Sequence, residues 1–210
     1  MMKKNILLIN DYLNLLYENP KCELDYNKDY ELLIAVMLSA QSTDKGVNKV
    51  TKELFLKYDT LEKIKNASLD DIKKIIRPIG SYNKKASNIL SIAKVLLDKY
   101  DGVVPRTHEE LEIMSGVGRK TANVVLAELF NIPSFAVDTH VIRVSNRLNL
   151  VNSSDPLVIE EKLKKIFEKE TWNKKHKQLV LFGRYHCKAK NPSCVNCKLK
   201  TICKYNKNKD

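Results

Sequence analysis

Four cysteines, Cys187, Cys194, Cys197 and Cys203, crowd into seventeen residues near the C-terminus, in the spacing C-x6-C-x2-C-x5-C. Their surroundings (Lys188, Lys190, Asn191, Lys198, Lys200) are polar or basic, so chance burial of unrelated thiols does not account for the grouping. In a chain read as cytoplasmic, such a group points to metal binding or catalysis rather than to disulfides. A structural zinc site usually carries two C-x2-C knuckles, and this segment has one. An iron–sulfur cubane can draw four thiolates from one compact loop. The spacing favours the cubane over zinc without deciding between them. Cys22 stands apart and is expected to be a buried or neutral thiol.

The same stretch carries much of the charge. Residues 184–210 hold Arg184, Lys188, Lys190, Lys198, Lys200, Lys204, Lys207 and Lys209 against the single acid Asp210, a net +7 within a formal total of +12. A basic stretch joined to a cysteine cluster is a footprint for a polyanion. The N-terminus does not read as a signal peptide: after Lys3 and Lys4, the apolar run Ile6–Ile9 is broken at once by Asn10 and Asp11. Nowhere do eighteen apolar residues stand together, so no membrane span is expected and the cytoplasm is the expected location.

Helical periodicity runs from end to end. Ala86, Ile89, Leu90, Ala93, Leu96, Leu97 and Tyr100 recur at helical spacing and are expected on one face. Ser68 with Asp71, and Thr107 with Glu110, match the capping box, while Asp155 before Pro156 matches an N-cap with proline at the first helical position. Stops are expected at Gly80, at Asp101-Gly102 and at Asn131–Pro133. Tyr30–Leu38 is too long for a typical strand and is read as helix. The expected fold class is all-α, about ten helices joined by short loops.

Gly116-Val117-Gly118 separates two apolar helical stretches. Two glycines around one residue permit a tight turn and leave the amides of the next helix open to a phosphate, although a plain helix-turn-helix corner would look the same. Lys120 follows at the start of the next helix, and Asp138 lies eighteen residues on in Ala136-Val137-Asp138-Thr139-His140. A lysine of ordinary pKa, near ~10.4, is protonated at neutral pH and cannot attack carbon. A helix-start dipole, partial burial and a nearby carboxylate are the features that make one usable. Taken singly, Lys120 also fits a phosphate contact and Asp138 a helix N-cap.

Gly-Val-Gly-Arg-Lys-Thr-Ala (116–122), Val-Asp-Thr-His (137–140), the cysteine spacing, Met-Leu-Ser-Ala-Gln-Ser-Thr-Asp (37–44) and Ile-Gly-Ser-Tyr-Asn-Lys-Lys-Ala (79–86) together resemble the endonuclease III family of helix-hairpin-helix DNA glycosylases. The resemblance implies a two-lobed helical fold with a C-terminal 4Fe-4S cluster loop. Residues 21–133 would form a six-helix domain holding the hairpin, and residues 1–20 with 134–210 a discontinuous cluster domain.

It also implies an enzyme that removes damaged pyrimidines from double-stranded DNA and cuts abasic sites by β-elimination, with Lys120 forming the Schiff base and Asp138 assisting. Cys187, Cys194, Cys197 and Cys203 would hold a structural 4Fe-4S cluster. DNA contacts would come from Gln41, Ser81, Gly116, Val117, Gly118, His140, Lys188 and Lys190. Ser81 departs from the family, which often carries an apolar or aromatic wedge there, so Tyr82 or Gln41 would supply more of the intrusion. The protein is expected to act as a monomer, associated with the nucleoid. The adenine-specific mismatch glycosylases share this scaffold but lack the lysine, and a non-catalytic iron–sulfur DNA-binding module is the alternative from another class.

Overall fold

The structure is a computed structural model that describes residues 2–207. Lys209, Asp210 and the side chain of Lys207 lie outside the described residues. Among the described residues there are twelve α-helices and no strand, and three of the twelve are of five residues or fewer: α4 (Leu61–Lys65), α7 (His108–Glu112) and α12 (Lys204–Lys207). No helix is long and apolar enough to cross a membrane. The chain divides into two compact units, Cys22–Phe130, and Met1–Lys21 with Asn131–Asp210.

The Cys22–Phe130 unit is built around α2 (Asp29–Leu38), which is buried on every side from Tyr30 to Leu38. A helix apolar all round belongs at the centre of a bundle. Its first turn is closed by the Glu31 carboxylate, which accepts from the amides of Asn27 (2.8 Å) and Lys28 (3.3 Å). Around it pack α3 (Asp44–Lys57), α6 (Tyr82–Tyr100) and α8 (Arg119–Phe130), with α4 and α5 (Leu69–Ile76) against α6.

The buried stripe of α6 is Lys85, Ala86, Ile89, Ile92, Ala93 and Leu96, while Leu90, Leu97 and Tyr100 are only half-buried. The apolar face is therefore turned slightly from the expected one, and it includes a lysine. The helix stops where Asp101 (φ 50°) and Gly102 (φ 79°) take left-handed backbone.

The two capping boxes do not form as expected. Thr107 accepts the Glu110 amide at 3.3 Å, but the Glu110 carboxylate takes the Thr107 hydroxyl instead of an amide. Ser68 makes no side-chain cap, and the Asp71 carboxylate that would complete the box pairs with Lys57 of α3 at 3.2 Å. The Asp155–Pro156 start does form, with Asp155 accepting the Leu157 amide at 2.8 Å.

The other unit joins α1 (Met2–Leu16) to α9 (Thr139–Arg147), α10 (Pro156–Ile166), α11 (Trp172–Leu181) and α12. Its core includes Ile9, Leu13, Phe135, Val144, Leu163 and Phe182. Gln178 of α11 donates to Asn14 Oδ1 (2.9 Å) and to the Tyr17 carbonyl (2.8 Å), and the Tyr12 hydroxyl donates to the Asn196 carbonyl (3.2 Å). The N-terminal helix is thereby fastened to the C-terminal segment.

Candidate functional site

The hairpin between α7 and α8 is shaped by Gly116, whose φ of 81° favours glycine. A Cβ there would collide with the side chain of Asn88 and press on Met37, so Gly116 also lets the turn settle onto α6 and α2. Val117 is 5% exposed, and its amide donates to the Met114 carbonyl at 3.0 Å. Its side chain and amide are thus both engaged inside the turn. A Cβ on Gly118 would meet nothing within 4 Å, so that position is open to a ligand.

The first i→i−4 bond of α8 runs from Ala122 to the Gly118 carbonyl (3.0 Å), and the amides before it have no partner within the helix. Lys120, the second residue of α8, is half-buried and makes neither a hydrogen bond nor an ion pair among the described residues. Its ammonium therefore stands at the positive end of the helix dipole with nothing holding it.

Asp138 belongs to the other unit and caps α9. Its Oδ1 accepts from the amides of both His140 and Val141 at 2.9 Å, which locks the carboxylate and leaves Oδ2 available. His140, two residues on, is half-buried. Arg143 Nη2 lies 3.1 Å from His140 Nδ1 and 2.7 Å from the Gly183 carbonyl, and Nε donates to the Cys187 carbonyl at 3.1 Å. A guanidinium only donates, so Nδ1 accepts and the His140 ring proton sits on Nε2. Burial, together with Arg147, pushes Arg143 below its usual pKa.

These acceptors exist because residues Phe182–His186 form a π-helical turn, closed by the Cys187 amide on the Phe182 carbonyl (2.6 Å). Such turns release carbonyls from the regular helix ladder and recur at functional sites.

Gln41 and Ser81 are both exposed and both left-handed, with φ of 56° and 58°. For residues other than glycine that conformation costs about 1–2 kcal/mol each. Their loops touch: a Cβ on Gly80 would lie 3.6 Å from the Gln41 carbonyl oxygen.

Cys187, Cys194, Cys197 and Cys203 line one cavity together with Phe182, His186 and Leu148. Burial pushes the Cys187 thiol up, with Arg147 opposing, and burial likewise pushes up Cys197, against the backbone hydrogen bond at Leu199. Arg147 Nη1 lies 3.4 Å from Cys187 Sγ and 2.8 Å from the Lys188 carbonyl, and Nη2 3.3 Å from the Ala189 carbonyl. The Lys188 and Lys190 side chains extend, exposed, from the backbone so held.

Among the described residues no group of three or more His, Cys, Asp or Glu side chains could hold a metal ion. One tetrahedral ion needs its thiolates about 2.3 Å from a common point, whereas a cubane takes one thiolate at each of four separate corners. Four thiols spread around one apolar cavity beside an arginine fit the larger group.

The HhH-GPD superfamily base excision DNA repair protein family matches residues 34–169. Endonuclease III of Rickettsia felis is 48% identical over 187 residues, 89% of this chain and 88% of the relative, and that of Bacillus subtilis is 42% identical over 99% of this chain and 95% of the relative. The chain belongs to the endonuclease III family. A solved structure of a trapped endonuclease III–DNA covalent intermediate with an estranged adenine superposes with a TM-score of 0.95 at 45% identity, covering 100% of this chain and 98% of that one.

Several endonuclease III positions described above gave no sequence signal. Arg143 and Arg147 read only as basic residues on a helix, yet they bind the backbone of a segment some forty residues away. Gly183 carried no turn pattern; a Cβ there would come within 2.8 Å of His140 Cβ. Lys85 sat on the apolar stripe of α6, where a lysine is a discoverable anomaly.

Proposed function

We propose that this protein excises damaged pyrimidines from duplex DNA and cleaves the resulting abasic strand through a Schiff base on Lys120. Membership in the endonuclease III family makes it a DNA glycosylase and abasic-site lyase of base excision repair. The observation that carries the assignment to Lys120 is its half-buried, unpaired ammonium at the start of α8, directly after the glycine hairpin.

Lys120 first gives up a proton, and its Nζ then attacks C1′ of the extruded nucleotide. The C1′–N bond breaks, the base departs with a proton, and the sugar opens to an iminium. Loss of a C2′ proton breaks the C3′–O bond, and water finally hydrolyses the imine. Asp138 is assigned the proton acceptance and the stabilisation of positive charge on the sugar, using the Oδ2 that its capping bonds leave available.

Gly118 and the amides opening α8 would take a DNA phosphate, as would Lys188, Lys190 and the Nε2–H of His140. Gln41 and Ser81 would enter the base stack. Cys187, Cys194, Cys197 and Cys203 would hold a 4Fe-4S cluster, which organises the basic loop. The site of action would be chromosomal DNA in the cytoplasm.

Borohydride trapping on a duplex with an oxidised pyrimidine tests the chemistry. A covalent adduct that disappears in Lys120→Ala is expected; base release without trapping would overturn the lyase assignment in favour of a monofunctional enzyme, and binding alone would overturn both activities. Purified protein should be brown and contain iron and acid-labile sulfide, and a colourless protein with stoichiometric zinc would exclude the cubane.

A further inference from the structure

Lys85 is 5% exposed, and its side chain makes two hydrogen bonds across to the turn that follows α2. Nζ donates to the Ala40 carbonyl at 2.7 Å and to the Ser42 hydroxyl at 3.0 Å, the residues immediately before and after Gln41. The backbone amide of Lys85 makes the ordinary first i→i−4 bond of α6, to the Ser81 carbonyl at 3.1 Å, so Lys85 sits one turn past Ser81. One lysine side chain thus ties the first turn of α6, which follows Ser81, to the turn that carries Gln41.

Left to itself, the Ser39–Ser42 turn, closed by the Ser42 amide on the Ser39 carbonyl at 3.1 Å, would relax Gln41 toward ordinary backbone. A side chain that seizes the carbonyl ahead of Gln41 and the hydroxyl behind it opposes that relaxation. Among the described residues no carboxylate pairs with Lys85; both acceptors are neutral, and burial pushes its pKa below the ordinary value. A buried cation with only dipoles for partners is costly, which is hard to reconcile with a role confined to stability.

We infer that Lys85 is a positioning residue that holds the Gln41 turn in one fixed register against the start of α6 for entry into the base stack. The inference rests on the reading of Gln41 as an intruding residue.

The test compares two duplexes, one with the lesion in a fully paired context and one with the lesion already unstacked in a bulge. The first requires intrusion, the second does not. Lys85→Met keeps the apolar stem and removes the donors. It should lower single-turnover excision on the paired duplex about tenfold, the rate equivalent of about 1.4 kcal/mol of lost register, and leave the bulged duplex within about twofold. Equal losses on both duplexes would mean a merely structural lysine and would overturn the inference.

Should Lys85→Met fail to fold, Ser42→Ala decides. This half-buried residue loses one acceptor and should show a smaller loss, again confined to the paired duplex; no loss, or the same loss on both duplexes, would overturn the inference. Gln41→Ala in the wild-type background separates the two claims. If it leaves the paired duplex unaffected, the intrusion reading fails. If it slows that duplex while Lys85→Met and Ser42→Ala do not, the intrusion stands and the role of Lys85 falls.

Discussion

Gly183 lies against His140 so closely that a Cβ on it would come within 2.8 Å of the His140 Cβ. The π-helical turn that contains Gly183 supplies its carbonyl to Arg143, which in turn orients the His140 ring. Gly183→Ala must push α9 from the turn or distort both. The cost expected of an overpacked core is about 1–3 kcal/mol, read by urea unfolding. Because α9 also carries Asp138, DNA affinity and excision should fall together; a variant with native stability and native DNA binding would show that the close approach is dispensable.

Asp138 serves two purposes that substitution can separate. Asparagine keeps an oxygen able to cap the His140 and Val141 amides, whereas alanine loses it. Asp138→Ala should destabilise the protein by about 0.5–2 kcal/mol and Asp138→Asn by much less. Both should lose base excision by orders of magnitude if the carboxylate takes part in the chemistry. An Asp138→Asn variant with near-native excision would reduce the residue to a cap.

Part of this site is legible in the sequence, and the boundary has a physical origin. The hairpin with Lys120, and the cysteine segment, are contiguous in sequence, so their glycines, donors and ligands declare themselves by spacing. The acid half of the Ser68 capping box is absent as a local pattern because the Asp71 carboxylate is taken by Lys57, fourteen residues away and on another helix. Val117 reads as a turn residue, yet the turn buries it. Arg143 and Gly183 meet through an i→i−5 hydrogen-bond shift that no residue pattern announces. The left-handed φ of Gln41 has no compositional mark either, and the turn that holds it is tied to a lysine forty-four residues on.

Lys175 of α11 is 5% exposed and donates to Gln178 Oε1 at 3.0 Å. Burial pushes its pKa below the ordinary 10.5, Lys174 adds to this, and Asp11 opposes it. With a depressed folded value, the unfolded chain holds this proton more tightly, so the lysine's contribution to stability rises with pH from the depressed value up to 10.5 and is flat below that window. Urea unfolding of the wild type and Lys175→Met across neutral to alkaline pH should show the difference between them moving in favour of the wild type inside the window. A difference independent of pH would mean that folding does not perturb Lys175.

Gln41 offers the sharpest trade between stability and use. Glycine adopts a φ of 56° freely, so Gln41→Gly removes the backbone strain, partly offset by a more flexible unfolded chain, and should stabilise the protein by roughly 0.5–1 kcal/mol. Gln41→Ala keeps the strain and should not gain stability. Both variants lack the carboxamide and should slow excision from fully paired duplex, measured under single-turnover conditions. Such a pattern, with the more stable protein the poorer enzyme, is what a strained residue kept for function produces. If glycine brought no stability, the left-handed backbone would carry no strain at this turn; if it left excision intact, the side chain would have no part in opening the duplex.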